Sequence, residues 1–200
     1  MGFHYSNVHW LWLSAGVMLA DQITKQLVIR SIALFDSVAV MPHLNWVHMQ
    51  NRGAAFSMLA QMPPWFFVLL GVGVSVGILI WLRRNPRGQL LVASGLALIL
   101  GGALGNVIDR VRLGHVTDFI DVYYQEWHFA AFNIADAAIS VGAALLILDM
   151  FVQWRRERRE RVQAQRTAAD AAKLAEAERA RAAAPDEAST AEPAPTKDGH

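Results

Sequence analysis

The chain has 200 residues, of which 54% are hydrophobic, with a formal net charge of +1 and no cysteine. Its mean hydropathy is positive and its charge is concentrated from Arg155 onward, so residues before that point are too apolar for an ordinary soluble domain. The absence of cysteine excludes a disulfide framework, a thiolate metal site and a cysteine nucleophile.

The opening Met1-Gly2-Phe3-His4-Tyr5 has no Lys or Arg and no small-residue cleavage site, so it does not read as a cleavable signal. Beyond Met1-Gly2, only Ser6 matches a myristoylation start. Four segments have the roughly 20 apolar residues needed to cross a bilayer. The first runs from about Val8 to Val28 and carries Asp21 and Lys25 in its last third. The second, Pro64 to Leu82, holds no charge and ends at Arg83-Arg84. The third runs from about Gly88 to Ile108 and the fourth from about Asn133 to Trp154.

The basic connection Arg83-Arg84-Asn85-Pro86-Arg87 and the basic start of the tail, Arg155-Arg156-Glu157-Arg158-Arg159, both read as cytoplasmic. Four spans then put both termini in the cytoplasm and turn the connections Arg30–Pro63 and Asp109–Phe132 outward. In the first connection, Val- and Trp-rich residues 37–49 alternate imperfectly and predict one or two short strands at the membrane surface. The second holds an aromatic patch around Tyr123, Tyr124, Trp127 and Phe129, suited to the headgroup region.

The predicted fold is therefore an all-α membrane protein. It has four transmembrane helices, a small extracytoplasmic β-containing region and a charged C-terminal tail. Residues 1–154 form the membrane domain. Residues 155–200 form a cytoplasmic tail, Ala/Glu/Arg-rich and helical to about Ala184, then disordered from Pro185. Its arginines read as a stop-transfer anchor on anionic lipid in preference to a nucleic-acid site.

Five polar phrases carry the candidate chemistry. In Asp21-Gln22-Ile23-Thr24-Lys25 the acid and the amine are at i,i+4 and can pair on one helix face, which favours a structural ion pair. In Asn51-Arg52-Gly53-Ala54-Ala55-Phe56 the small residues permit close packing, and Asn51 can equally position a substrate or site. In Gly105-Asn106-Val107-Ile108-Asp109-Arg110 the expectation is that Asn106, Asp109 and Arg110 converge, with Asp109 and Arg110 neutralising each other. Arg110 can still bond a substrate carbonyl or phosphate.

The last two phrases, His115-Val116-Thr117-Asp118-Phe119 and Asn133-Ile134-Ala135-Asp136, put an acid at the edge of an apolar segment with no permanent cation nearby in sequence. A charged Asp at mid-bilayer costs about 2.5–3.5 kcal/mol on insertion scales, so such an acid is a functional hypothesis by default. Asp118 also reads as a plain loop acid, and Asp136 as a first-turn acid favoured by the helix dipole. Together on one side of the membrane they favour a carboxylate pair that shares protons, with Asn133 one helical turn before Asp136 able to orient it.

In this order, Asp-Gln-x-Thr-Lys, Asn-x-Gly-Ala-Ala-Phe, Gly-Asn-x-x-Asp-Arg, Val-x-Asp-Phe and Phe-Asn-x-Ala-Asp resemble the motifs of the lipoprotein signal peptidases (signal peptidase II), over about residues 8–154. The resemblance implies an aspartic endopeptidase of the bacterial cytoplasmic (inner) membrane with its site on the extracytoplasmic side. It would cut diacylglyceryl-modified prolipoproteins just before the lipidated cysteine. The implied catalytic pair is Asp118 and Asp136. Asn51, Gly53, Asn106, Arg110 and Asn133 become supporting or substrate-contacting residues, and Asp21, Lys25 and Asp109 structural ones. The implied partners are the prolipoprotein and membrane lipid, with no nucleic acid, no cofactor and a monomeric enzyme.

Other classes fit less well. A cation-coupled transporter would carry acids at mid-membrane in several spans, and a scaffold would need the tail and not the aspartates. His43, His48, His115 and His128 lack metal-site spacing, and Ser57 and Ser140 lack a convincing base.

Overall fold

The structure is a computed structural model that describes residues 7–53, 61–84 and 88–183. A 3-10 turn, Asn7–Trp10, leads into α1 (Leu11–Ser31), followed by β1 (Ser37–Met41), β2 (Leu44–Asn51), α2 (Pro64–Arg84), α3 (Leu90–Leu113), β3 (Val116–Tyr124), β4 (Trp127–His128) and α4 (Ile134–Ala183). The chain divides into two compact units, Met1–Phe151 and Val152–His200.

Among the described residues, three helices are long and apolar enough to cross a membrane: α2, α3 and the Ile134–Ala177 stretch of α4. α1 matches them in length with 21 residues, but Asp21, Gln22, Lys25 and Gln26 lower the apolarity of its second half. α3 is the central helix, with 56% of its apolar window buried against 22% for α2 and 17% for α4. Leu96 and Leu100 of α3 pack with Ile78 and Leu82 of α2 in the principal core. The outward faces keep large apolar residues exposed, including Leu69, Leu70 and Trp81 on α2 and Ile147 and Met150 on α4, as lipid-facing surfaces do.

Helix approach relies on small residues. A Cβ at Gly142 of α4 would fall 2.6 Å from the Gly95 carbonyl of α3, and one at Gly105 would fall 2.6 Å from Asp21 Oδ2. Gly105 thus leaves room for a charged side chain between two helices.

The strands form one antiparallel sheet in the order β1-β2-β3-β4. The strands expected at residues 37–49 are β1 and β2. Residues 116–124, read from the sequence only as a connection with an aromatic patch, form the strand that joins them. β3 pairs with β2 from Leu44↔Val122 to Asn51↔Val116, with an irregularity between Trp46 and Met49. Phe119 of β3 packs with Val28 and Ile32 at the end of α1, which seats the sheet on the helices. α3 also runs five residues past its expected end, so Asp109 and Arg110 lie inside a helix. Its end at Gly114, φ +76°, is a left-handed C-cap.

Candidate active site

Asp118 comes from β3 and Asp136 from the first turn of α4, and one residue bonds to both. Asn133 Nδ2 donates to Asp118 Oδ1 at 2.7 Å. The Asn133 backbone N–H donates to Asp136 Oδ2 at 3.3 Å, and the Asp136 N–H returns a bond to Asn133 Oδ1 at 2.9 Å. This reciprocal pattern caps the helix. Asp136 is therefore both the first-turn acid of one reading and the neighbour of Asp118 required by the other.

Each carboxylate has a second amide partner. Asn51 Nδ2 donates to Asp118 Oδ2 at 3.0 Å, and Asn106 Nδ2 donates to Asp136 Oδ1 at 2.8 Å. Asn51 Oδ1 accepts from the Gly53 N–H at 2.9 Å, forming a local turn. The Gly53 carbonyl in turn accepts from Arg110 Nη2 at 2.7 Å. The Arg110 guanidinium also lies 4.7 Å from the centre of the Phe67 ring. Ala54, Ala55, Phe56 and Ser57, named from the sequence, lie outside the described residues.

Beneath this layer is a buried ion cluster. Lys25 Nζ lies 2.8 Å from both Asp21 Oδ2 and Asp109 Oδ2 and donates to Asn106 Oδ1 at 3.0 Å. Asp21, Lys25 and Asp109 are each at most 3% exposed. The expected Asp109–Arg110 neutralisation does not occur: Asp109 pairs with Lys25, and Arg110 turns to Gly53 and Phe67. Neighbouring residues on a helix point about 100° apart, so adjacency in sequence does not make a pair.

The acids of this cluster also hold backbone. Asp21 Oδ1 accepts from the Ala135 N–H at 2.9 Å, and Asp109 Oδ2 accepts from the Thr117 N–H at 3.3 Å. Gln22, which sequence spacing does not single out as a site residue, donates to Asp109 Oδ1 at 2.9 Å and to the Gly105 carbonyl at 3.1 Å. Its place beside Asp21 in the first motif is the one sequence signal for it.

Asp118 is 3% exposed. Burial, followed by the nearby charge of Asp136, pushes its pKa up to about 7, against the smaller opposing pull of Asn51, Asn133 and Lys25. The charge of Asp136 thus adds to burial in favouring the protonated form of Asp118. His115, in the turn before β3, is pushed down by burial. Among the described residues no group of three or more His, Asp or Glu side chains could hold a metal ion. One acid able to donate and one able to accept, oriented by amides, suit water attack on a carbonyl.

The signal peptidase (SPase) II family matches residues 13–152 of this chain. A lipoprotein signal peptidase of Alteromonas mediterranea is 47% identical over 152 residues, covering 74% of this chain and 84% of that protein. One of Coxiella burnetii is 47% identical over 146 residues, covering 72% and 90%. Among solved structures, a bacterial membrane enzyme determined by the in meso method at 2.3 Å resolution matches with a TM-score of 0.67 and 31% identity, over 72% of this chain and 87% of that one.

Proposed function

This chain belongs to the signal peptidase II family, and we propose that Asp118 and Asp136 are the carboxylate pair with which it cleaves signal peptides from prolipoproteins. The observation that carries this reading is that one residue, Asn133, donates to both carboxylates, through its side-chain amide to Asp118 and through its backbone N–H to Asp136.

In the proposed reaction Asp136 takes a proton from water while protonated Asp118 donates to the scissile carbonyl oxygen. The water oxygen attacks the carbonyl carbon, giving a tetrahedral diol and leaving Asp118 ionised. Asp136 then passes its proton to the departing nitrogen as the C–N bond breaks. Asp118 regains a proton from the diol as its C=O re-forms, and the products are a signal peptide with a new carboxyl end and a mature chain with a free amine. Asn133 and Asn51 hold Asp118, Asn106 holds Asp136, and Arg110 is a substrate-contacting residue fixed through Gly53. Asp21, Lys25 and Asp109 are structural.

The substrate class is the diacylglyceryl-modified prolipoprotein, cut before the lipidated cysteine. Its acyl chains would stay among lipid while the peptide bond meets water at the sheet. We further read α1 as a fourth span. Its ionic groups face Asn106, Asp109 and the start of α4, so their charge is neutralised inside the bundle and not exposed to lipid. The basic Arg83-Arg84 end of α2 and Arg155-Arg156 are then cytoplasmic. Both termini share that side and the sheet faces outward, in an enzyme of the inner membrane acting as a monomer. Residues 1–154 are the peptidase domain and 155–200 a charged tail beside membrane lipid.

Cleavage of a lipidated against an unlipidated prolipoprotein peptide by the purified enzyme, with Asp118→Asn and Asp136→Asn alongside, tests this. The lipidated peptide alone should be cut, and neither variant should cut it. Near-normal processing by either variant removes the dyad.

A further inference from the structure

Asp118 and Asp121 are three residues apart on β3, so they point to opposite faces of the sheet. Asp121 is 7% exposed. Its Oδ2 accepts from Asn45 Nδ2 of β2 at 3.0 Å, and both of its oxygens lie 3.0 Å from His128 Nδ1 of β4. A carboxylate can only accept, so His128 carries its proton on Nδ1. One acid on the far face therefore ties three strands together.

β4 is a short edge strand, paired with Tyr123 and Tyr124 of β3, with the His128 ring stacked on that of Tyr123. It is two residues long, both are exposed, and Trp127 is 63% exposed. The return chain from β4 leads directly into the candidate site. The Phe129 N–H donates to the Val122 carbonyl at 2.8 Å. The Phe132 carbonyl accepts from the N–H groups of Phe119 and Ile120 at 3.0 and 2.8 Å, and the Phe132 N–H donates to the Ile120 carbonyl at 3.0 Å. The next residue is Asn133.

We propose that the Asn45–Asp121–His128 clamp is a positioning device for the reaction, fixing the return chain so that Asn133 holds Asp118 and Asp136 in one geometry. This rests on the reading of those two acids as the catalytic pair. The clamp touches neither the acids nor the space between them; it acts through Phe132 and Asn133. Among the described residues, the titratable groups packed around it include Asp36, which lines one cavity with Asn45, Asp121 and His128, Tyr123, whose ring stacks on that of His128, and His43, whose ring lies 5.9 Å from that of Tyr123. Asp118 itself feels Asp136 of α4, Lys25 of α1 and Arg110 of α3.

The full-length enzyme in detergent, with a lipidated prolipoprotein peptide, provides the test. His128→Phe keeps a ring to stack on Tyr123, 5.4 Å away, but has no donor for Asp121. His128→Asn keeps an N–H near the Nδ1 position. His128→Phe and Asp121→Ala should lower kcat about tenfold with KM within about twofold. They should also move the basic limb of the kcat/KM profile to higher pH, because the Asn133 bond is one of those that favour ionised Asp118. His128→Asn should restore both. If His128→Phe does not fold, Asp121→Asn, of native volume but with one acceptor oxygen in place of two, should shift kcat and the limb in the same direction by less. A profile superimposable on that of the unmodified enzyme, or His128→Asn impaired as much as His128→Phe, overturns the clamp. Asp118→Asn measured alongside separates the two ideas. If it cleaves normally, the dyad falls; if it is inactive while the clamp variants keep the native profile, only the clamp falls.

Discussion

Asp21 and Ala135, 114 residues apart, are joined by a 2.9 Å bond from the Ala135 N–H to the Asp21 carboxylate, one residue before Asp136. Asp109 does the same for Thr117, one residue before Asp118. The buried ion cluster thus grips the backbone beside each candidate catalytic acid. It also satisfies an N–H that the first turn of α4 would otherwise leave unpaired.

Removing one acid from the cluster leaves Lys25, 2% exposed, with half of its charge compensation. Asp109→Ala should therefore cost about 3–5 kcal/mol of stability. Thermal unfolding in detergent is the measurement, and the loss of turnover should follow the loss of fold. An unaffected melting temperature with abolished cleavage would contradict the structural assignment.

The two proposed catalytic acids, Asp118 and Asp136, should behave differently from Asp109. Asp118→Asn or Asp136→Asn should reduce cleavage about 10²–10⁴-fold or more, the range for loss of a positioned acid or base. Both variants should still fold, since an amide keeps the volume of each side chain. Initial rates on a lipidated peptide, with circular dichroism as the control, separate lost chemistry from lost structure.

Asp118 also makes a pH prediction. Its pKa rises from 3.8 to about 7 on folding, so between these values the native state holds a proton that the unfolded chain has released. Stability attributable to this residue therefore falls as pH rises through that window and stays low above it. In Asp118→Asn that loss is absent. The amide disturbs one of two accepted hydrogen bonds, about 1 kcal/mol at every pH, so the trend carries the test. The melting temperature of the variant relative to the unmodified protein should climb from pH 4 to pH 8, by an amount worth a few kcal/mol at most. Catalysis should lose its proton donor over the same range, giving kcat/KM a basic limb near pH 7; a flat rate to pH 9 argues against Asp118 as that donor.

The acids were legible in the sequence because each stands out against apolar neighbours, and the i,i+4 spacing of Asp21 and Lys25 is a local property of one helix. What linked them was not local. Val116–Tyr124 is buried on both sides near its start, so it shows little of the alternation that marks a strand, and its partner β2 lies more than 60 residues earlier. The adjacency of Asp109 and Arg110 suggested a pair that helix geometry separates. The third member of the ion cluster emerges only when α1 packs on α3, where Gly105 makes room for Asp21. Nothing in the spacing of Asp121 and His128 announced a bond between them, because it depends on the turn at Gln125, φ +54°, folding β4 back on β3.

Asn133 has two separable tasks, capping α4 and donating to Asp118. Asn133→Ala loses both and should cost about 1 kcal/mol of stability together with most of the activity. Asn133→Asp restores a good cap oxygen but supplies no donor, and it adds a third carboxylate beside the pair. Its melting temperature should therefore recover relative to Asn133→Ala while kcat does not. Recovery of both would mean that capping is the only task.

The tail supplies the last prediction. Residues 13–152 carry the family match, and the compact unit that holds every residue of the candidate site ends at Phe151. The arginines at 155–166 are exposed, and the ion pair of Arg161 with Glu157 at 3.5 Å is largely solvated, so it adds little stability. Deleting residues 160–200 keeps Arg155, Arg156, Arg158 and Arg159 as a basic end to the last span. The shortened enzyme should insert in the same orientation and cut a lipidated peptide with kcat within about twofold of the full chain, since it loses no group that orders the dyad. Loss of cleavage by a correctly inserted truncation would mean that the tail acts on the reaction itself, and would return the scaffold reading to contention.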